Sequence, residues 1–351
     1  GQTLWSEIYR SHPFCACRGV FFRVKTTTYI AFVLIYVVVL AGSVVRMTGS
    51  GMGCPDWPKC FGLLIPPTSE EEIRWSPETE YSEGRMVIER DTLWVATEDH
   101  ISQKGEFNAQ IWEPYTRHSY ATFNVSHTWI EYLNRLAGAL AGIPILILFI
   151  LAIKSRQRTP IVLASATLGS VLFVSWLGKL VVDGNLIPFS ITIHAVSALA
   201  ILAFLVMLIQ HFNGTKTNIS KSLRWWVLAS LVIAFLQLVL GTQVREFVDI
   251  AIETGVARTD IVNALPKWWG IHRSAVWLIV IVHAMWAFPM MKIPRIALYA
   301  KLTFAILLAQ SMTGILFTQF GFPAFAQPVH ILLGFALVLV DLRVLLSTKS
   351  A

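Results

Sequence analysis

Eight long apolar segments constrain the fold of this chain more than any other feature. Crossing the roughly 30 Å hydrocarbon core of a bilayer takes about 20 apolar residues in a helix, and each segment approaches or exceeds that length. Of 351 residues, 55% are hydrophobic and 14% are charged, which is typical of membrane proteins. We therefore predict an all-α polytopic membrane protein with eight transmembrane helices, at about 29–46, 129–153, 160–182, 188–210, 225–244, 270–291, 300–320 and 328–346.

The positive charges indicate how these helices are oriented. Lys and Arg collect before the first predicted helix and after the second, fourth, sixth and eighth, which all lie on one side. Because cytoplasmic flanks hold the excess of positive charge, we expect both termini in the cytoplasm. The net charge of +7 then reflects membrane topology, and we expect membrane lipid but no nucleic acid as a partner. No cleavable signal is evident in residues 1–28, and we expect a bacterial plasma (inner) membrane.

The four cysteines divide between the two sides of the membrane. Cys54 and Cys60 follow the first predicted helix on the extracytoplasmic side, where disulfides persist. We expect them to be bridged, with two free thiols as the alternative. Cys15 and Cys17 should be reduced in the cytoplasm, and with His12 they form only a weak metal-binding pattern.

An internal repeat organises the apolar segments. Gly178 precedes His194 by sixteen residues, and Gly314 precedes His330 by sixteen. Both halves begin on the cytoplasmic side, so we predict two four-helix bundles related by a pseudo-twofold axis along the membrane normal. Further repeat-related pairs are Arg46 with Arg245, Asn134 with His272, Arg135 with Arg273, and Pro188 with Pro328.

The repeat divides the chain into four parts. We predict a cytoplasmic N-terminal segment (1–28), an N-terminal four-helix half (29–211), a polar cytoplasmic linker (212–224) and a C-terminal four-helix half (225–351). The first half includes a long extracytoplasmic loop, 54–126, in which residues 85–89 and 92–96 read as short strands. We expect this loop to form a small cap, and its shorter counterpart, 245–269, to hold a brief helix.

Three histidines occupy one layer of the membrane. His194, His272 and His330 each lie within about two turns of the extracytoplasmic end of a predicted helix. An ionisable side chain at this depth is costly and suggests a function. A heme held between helices needs neutral imidazoles, an apolar slot and polar groups near water. We interpret the three as heme ligands, with hydrogen bonds between helices as the alternative, and His283 as a packing or supporting residue.

The N-terminal half departs from this pattern. Asn134 stands at the place of His272 and is a poor iron ligand, which leaves His194 as the strong ligand of that half. His127, Glu131 and Asn134 share one helical face. A site with one fixed ligand, a carboxylate and a looser position suits catalytic turnover, whereas a site with both ligands, His272 and His330, suits electron transfer.

Glu131 is the residue that we predict to be catalytic. Near the rim of an apolar slot, a carboxylate can take up protons or stabilise positive charge that develops on a substrate carbon. The alternative is a salt bridge to Arg135, four residues along the same face, and both roles can hold together.

Four arginines are candidates to bind heme propionates. Guanidinium groups suit carboxylates, and these residues lie at the extracytoplasmic ends of their helices. The alternative is that they reach toward lipid headgroups. They are Arg46, Arg135, Arg245 and Arg273.

These motifs resemble the heme A synthase family, membrane enzymes that convert heme O to heme A for cytochrome oxidase. The resemblance covers nearly the whole membrane part and rests on residues 45–51, Cys54-Pro55-Asp56-Trp57-Pro58 with Cys60, Glu131-Tyr132 with Arg135, Ile271-His272-Arg273, and the histidines of the fourth and eighth helices. Family members commonly have histidine where this chain has Asn134, and the short bacterial forms have a shorter outer loop.

The resemblance implies a fold, two hemes and a reaction. It implies two pseudo-symmetric four-helix halves, a resident heme b on His272 and His330, and heme O as the substrate of the N-terminal half. It also makes Glu131 the essential carboxylate and places the Cys54–Cys60 disulfide beside the substrate. A ring methyl of heme O would become a formyl group by successive hydroxylation and loss of water.

Two other functions are alternatives. A di-heme, quinone-linked cytochrome would need two complete ligand pairs, and Asn134 argues against the second pair. A heme carrier or exporter would bind heme and leave its methyl group unchanged. As partners we expect heme O synthase, the cytochrome oxidase assembly process and an unidentified electron donor or acceptor, while a homo-oligomer is left open.

Overall fold

Eight long helices dominate the computed structural model, which describes residues 12–117, 123–184 and 189–351. Pro188 and the side chains of Cys15 and Cys17 lie outside the described part. All eight helices are long and apolar enough to cross a membrane, which confirms the predicted all-α polytopic class. They are α1 His12–Thr48, α2 Val125–Ser155, α3 Arg158–Gly184, α4 Ser190–Asn213, α5 Lys221–Glu253, α6 Trp269–Met290, α7 Pro294–Gln319 and α8 Ala326–Ser347.

The first helix begins at His12, well before the predicted residue 29, and the fifth helix extends well beyond its predicted end. The sequence predicts an end near residue 244, where the apolar run meets Arg245, but α5 continues to Glu253. Arg245 forms an ion pair with Asp249, one turn further along the same face. Val248 and Ala251 are buried on the extension. Pairing within the helix therefore lets charged residues extend it beyond its apolar stretch.

The last four helices pack as a bundle in which each helix has two neighbours. α5 packs against α6 and α8, and α7 packs against the same two helices. α6 and α8 therefore face each other along a diagonal of the bundle. Small and aromatic side chains fill the end of this bundle near the α6–α7 turn, among them Trp286, Ala300 and Val344.

Two compact units divide the described chain. Residues 12–43, 137–174 and 191–351 form the first, and residues 44–117, 123–136, 175–184 and 189–190 form the second. Within the first unit, Tyr36 on α1 donates to the carbonyl of Leu332 on α8 at 2.5 Å. The hydroxyls of Thr192 on α4 and Thr242 on α5 lie 2.8 Å apart. Hydrogen bonds thus join the first four helices to the last four.

The linker between the halves is hydrogen-bonded rather than free. Strand β6, Thr217–Ile219, pairs in parallel with strand β7, Thr348–Ser350. Arg224 donates to the carbonyls of Leu345 and Thr348 at 2.9 and 2.6 Å. The polar composition of the linker gave no sign of this strand pair.

The second unit contains the cap. Met86–Glu89 pairs antiparallel with Thr92–Ala96, which confirms the two predicted strands. In chain order, the strands of this unit are β1 Glu80–Tyr81, β2 Met86–Glu89, β3 Thr92–Ala96, β4 His100–Ile101 and β5 Trp112–Pro114. Strand β3 also pairs with β5, and β1 pairs with β4. In the first unit, a helical turn at Ile261–Ala264 confirms the brief helix predicted in 245–269.

Candidate functional site

Side chains in the first turns of α2 form hydrogen bonds with the loop that follows α1. Thr128 and Glu131 are buried and face this loop. The Thr128 hydroxyl donates to the carbonyl of Gly53 at 2.8 Å. The Glu131 carboxylate, whose residue is 5% exposed, accepts from the backbone N–H of Cys54 through Oε2 at 2.8 Å. The candidate catalytic residue therefore also holds the loop.

Arg135, one turn further along α2, forms hydrogen bonds with the same loop. Its Nη1 donates to the carbonyls of Asp56 and Lys59 at 2.6 and 3.0 Å. Its Nη2 donates to Oε1 of Glu131. The salt bridge that the sequence offered as an alternative role for Glu131 is thus formed. Each carboxylate oxygen retains a second lone pair, so the ion pair leaves Glu131 able to accept a proton or a further hydrogen bond.

The loop approaches α2 closely because it carries a glycine and a disulfide. A Cβ at Gly53 would lie 2.4 Å from the carbonyl oxygen of His127, so any other residue would push the loop away from the helix. Cys54 and Cys60 are bridged, as predicted, and both are buried. Together the two features fix the backbone N–H that faces Glu131.

Asp56 is an acidic group inside this loop. Its Oδ2 accepts from the N–H of Gly62 at 3.0 Å. Its Oδ1 is buried and has no hydrogen-bond partner among the described residues. Burial raises the pKa of the Asp56 carboxyl above its usual range. Asp56 therefore takes up a proton at a higher pH than a surface aspartate does.

The imidazoles of His272 and His330 face each other across the diagonal between α6 and α8. Their ring centres are 6.3 Å apart and their planes are inclined by 65°. Two imidazoles on opposite sides of one metal ion, each bound at about 2 Å, would have ring centres about 6 Å apart. The observed spacing therefore fits two axial ligands of one iron.

The surroundings of His330 favour iron binding through Nε2. Its Nδ1 lies 2.7 Å from the hydroxyl of Thr313, and that hydroxyl lies 2.8 Å from the carbonyl of Gln310. Because the carbonyl can only accept, the Thr313 hydroxyl gives its proton to Gln310 and accepts from Nδ1–H of the imidazole. Nε2 is then unprotonated, as a metal ligand requires.

His272 is held from two directions. Gln237 donates to its backbone carbonyl at 2.6 Å, and a Cβ at Gly241 would lie 3.0 Å from its Cε1. Its Nδ1 is buried without a hydrogen-bond partner among the described residues. A buried ring nitrogen in that state is costly, and a bound group can satisfy it. The residues present thus fit a heme with two histidine ligands.

The four arginines predicted to bind propionates have different surroundings. Arg135 is engaged with the disulfide loop, as described above. Arg245 donates to Asp249 and to Gln327. The guanidinium of Arg273 lies 4.9 Å from the ring centre of Trp269. Arg46 lies in the last turn of α1. A role in propionate binding stays a prediction for each of them.

The residues predicted for a substrate heme lie in different units. His127 and Asn134 belong to α2 in the second unit, and the backbone N–H of His127 donates to Asn124 Oδ1 at 3.0 Å. His194 lies one turn after the start of α4, in the first unit. That these three residues share one heme stays a prediction.

His283 has a partner that sequence reasoning missed. Its Nε2 lies 2.9 Å from Oδ2 of Asp341 on α8, and both side chains are fully buried. A signal was present, because Asp341 is the one acidic residue in the predicted eighth helix. Thr313, Gln237 and Gly241 were missed as well.

Comparisons with known proteins agree with the motifs. A family model described as cytochrome oxidase assembly protein matches residues 25–86 and 80–342. A heme A synthase of Shewanella oneidensis is 22% identical over 217 residues, which cover 60% of this chain and 54% of that protein. The match thus spans about half the length of this curated relative.

Proposed function

Because this chain belongs to the family of cytochrome oxidase assembly proteins, we propose that it is a heme A synthase that oxidises a ring methyl group of heme O to a formyl group. Heme O synthase would supply the substrate, and assembly of cytochrome oxidase would consume the product. The family match over most of the chain carries the proposal. The similarity to a protein named heme A synthase supports the synthesis of heme A as the activity.

The reaction proceeds by two hydroxylations of the methyl carbon and the loss of water. With water as the oxygen donor, conversion of the methyl to the formyl group removes four electrons and releases four protons. When bound, heme b supplies a one-electron redox station between the substrate and an external electron acceptor. His272 and His330 would be its axial ligands, a role that their 6.3 Å ring spacing supports.

Glu131 would receive protons that the methyl carbon and its hydroxyl group release. Its burial supports this role, since a carboxylate away from water acts on a substrate without competition from solvent. Arg135 and the N–H of Cys54 orient the carboxylate. The disulfide and Gly53 would contribute indirectly, because they hold the N–H of Cys54 in the place where it orients Glu131.

The substrate would bind in the N-terminal half, 29–211. His194 would ligate its iron alone, or with His127 as the sixth ligand in place of Asn134. A site with a single strong ligand releases its product more readily than one with two. Arg46 and Arg135, in the same half of the chain, would be candidates to bind the propionates of this heme, and Arg245 and Arg273 those of heme b.

The protein is a multi-pass membrane protein, and we place it in a bacterial plasma membrane with both termini in the cytoplasm. The basic flanks of the helices support this orientation. A reporter that is active only in the cytoplasm, fused after Ala351 through a flexible spacer, should be active. Activity only of a reporter that requires the extracytoplasmic side would reverse the orientation.

The decisive experiment is co-expression with a heme O synthase in cells that lack heme A. We expect heme A in the extracted pigments, identified by chromatography, and none with Glu131→Ala. Heme bound to the purified protein without any heme A would instead indicate a carrier or exporter. Two low-spin hemes without conversion would indicate a di-heme cytochrome.

A further inference from the structure

A fully buried polar contact within the last four helices joins α6 to α8. His283 Nε2 lies 2.9 Å from Asp341 Oδ2, and neither side chain is exposed. His283 Nδ1 lies 2.7 Å from the carbonyl of Ile279. No part of the proposed reaction uses this pair. An ionisable pair at membrane depth is costly to keep, which calls for a role.

His283 and Asp341 each follow one of the two candidate heme ligands by the same number of residues. His283 follows His272 by eleven residues on α6, and Asp341 follows His330 by eleven residues on α8. Eleven residues make three helical turns, or about 16 Å, so each member lies below a histidine on the same face of its helix. The contact therefore spans the same diagonal of the bundle as the histidine pair, three turns deeper.

The hydrogen bonds define how many protons the pair holds. The carbonyl of Ile279 can only accept, so His283 Nδ1 carries a proton and donates it. The contact between Nε2 and Asp341 Oδ2 then contains one further proton, whichever of the two atoms holds it. The pair is neutral as a whole, which lets it stay dry while its short, directional contact sets the distance between the two helices.

The N-terminal half has no such contact at the equivalent positions. Eleven residues beyond Asn134 and His194 stand Ile145 and Leu205, and both are fully buried in the apolar core. Apolar contacts are not directional and allow the helices to shift. The directional pair thus occurs in the half that would keep its heme, and not in the half that would exchange one.

We propose that His283 and Asp341 are positioning residues that hold α6 and α8 at the spacing in which His272 and His330 can bind one iron. The inference rests on the proposed two-histidine heme site. It adds that the site is formed in advance by a polar strut, defined here as the His283–Asp341 contact, before heme binds.

The test replaces His283 and Asp341 by the apolar residue types that stand at the equivalent positions of the N-terminal half. The double variant His283→Ile/Asp341→Leu removes the strut without leaving a buried charge, and such replacements are often tolerated. We expect heme b to pass from the purified variant to excess apomyoglobin on the order of 10-fold faster than from the wild type, the lower end of the range for loss of a group hydrogen-bonded to a metal ligand, because the strut acts on the ligands only through the helices. The low-spin electron paramagnetic resonance signal should shift as well.

A matched control variant shows whether heme release depends on the strut itself or on any buried polar contact near it. Ser230→Ala removes the 2.8 Å bond that Trp286 on α6 donates to Ser230 on α5, a buried contact between neighbouring helices near the strut. It should leave heme release and the resonance signal unchanged. A double variant that folds, and that releases heme at the wild-type rate with the wild-type signal, would overturn the inference.

Two single variants decide the matter if the double variant does not accumulate. Asp341→Asn retains the length of the side chain and a hydrogen bond to His283, whereas Asp341→Glu retains the carboxyl group and lengthens the strut by one methylene. If the pair sets the distance between the helices, Asp341→Asn should release heme at the wild-type rate, and Asp341→Glu should release it at a different rate. The reverse result would refute the strut. A wild-type protein without a two-histidine low-spin signal would instead remove the proposed heme site itself.

Discussion

Replacing His272 or His330 by alanine is expected to leave the purified protein without its resident heme b. Each imidazole would supply one ligand to the iron, and their ring centres lie 6.3 Å apart. Loss of outer partners alone typically weakens a metal site 10- to 100-fold, so removal of a ligand should lower heme retention by at least about 10-fold. Reduced-minus-oxidised spectra and total extracted heme measure the loss.

Three further histidine variants make this prediction specific. His194→Ala should retain the resident heme b spectrum and lose the spectral change on adding heme O, and His127→Ala should weaken that change if His127 is the sixth ligand. His211→Ala is the control, because this exposed side chain lies 3.2 Å from Gln157 and belongs to neither site. An unchanged resident-heme band in both His272→Ala and His330→Ala would refute the ligand assignment.

Glu131→Gln is expected to lower heme A formation by about 100-fold or more while the disulfide loop stays in place. General acid–base groups typically contribute 10²- to 10⁴-fold to a rate. The glutamine retains an oxygen to accept from the N–H of Cys54, but it cannot take up protons. The ratio of heme A to heme O in extracts gives the activity, and thiol labelling with limited proteolysis reports on the disulfide and the loop.

Two companion variants distinguish catalysis from support. Arg135→Lys loses most of the hydrogen bonds that Arg135 donates to the carbonyls of Asp56 and Lys59. It should therefore loosen the disulfide loop and lower heme A formation in part. Glu70→Gln removes an exposed pair with Arg74 that has the same four-residue spacing, and it should change nothing, since such pairs contribute little. Full activity of Glu131→Gln combined with loss in Arg135→Lys would make Glu131 a support of the loop only.

Features that depend on a single stretch of chain were predictable. The eight helices follow from apolar length, and the strands at residues 86–89 and 92–96 from alternation. The disulfide follows from two cysteines that the charge pattern predicts to lie on the oxidising side. Each of these needs only neighbours in sequence, and the structure contains each of them.

Features that depend on partners from distant helices were not predictable in the same way. Thr313 and Gly241 look like ordinary residues of apolar helices, and only the fold brings them against His330 and His272. Asp341 was the exception. An acidic residue eleven positions beyond a candidate ligand, with His283 at the matching place on another helix, is a pattern that the sequence displays.

The pairing of β6 with β7 limits how the two halves can work. α4 ends at Asn213 and β6 begins at Thr217, so only residues 214–216 separate the first half from a strand that is bonded to Thr348–Ser350. Carriers that operate by alternating access rock one repeat against the other around a central site. With so short a link, that motion would first have to separate the strand from Thr348–Ser350, which argues against a carrier that works by alternating access.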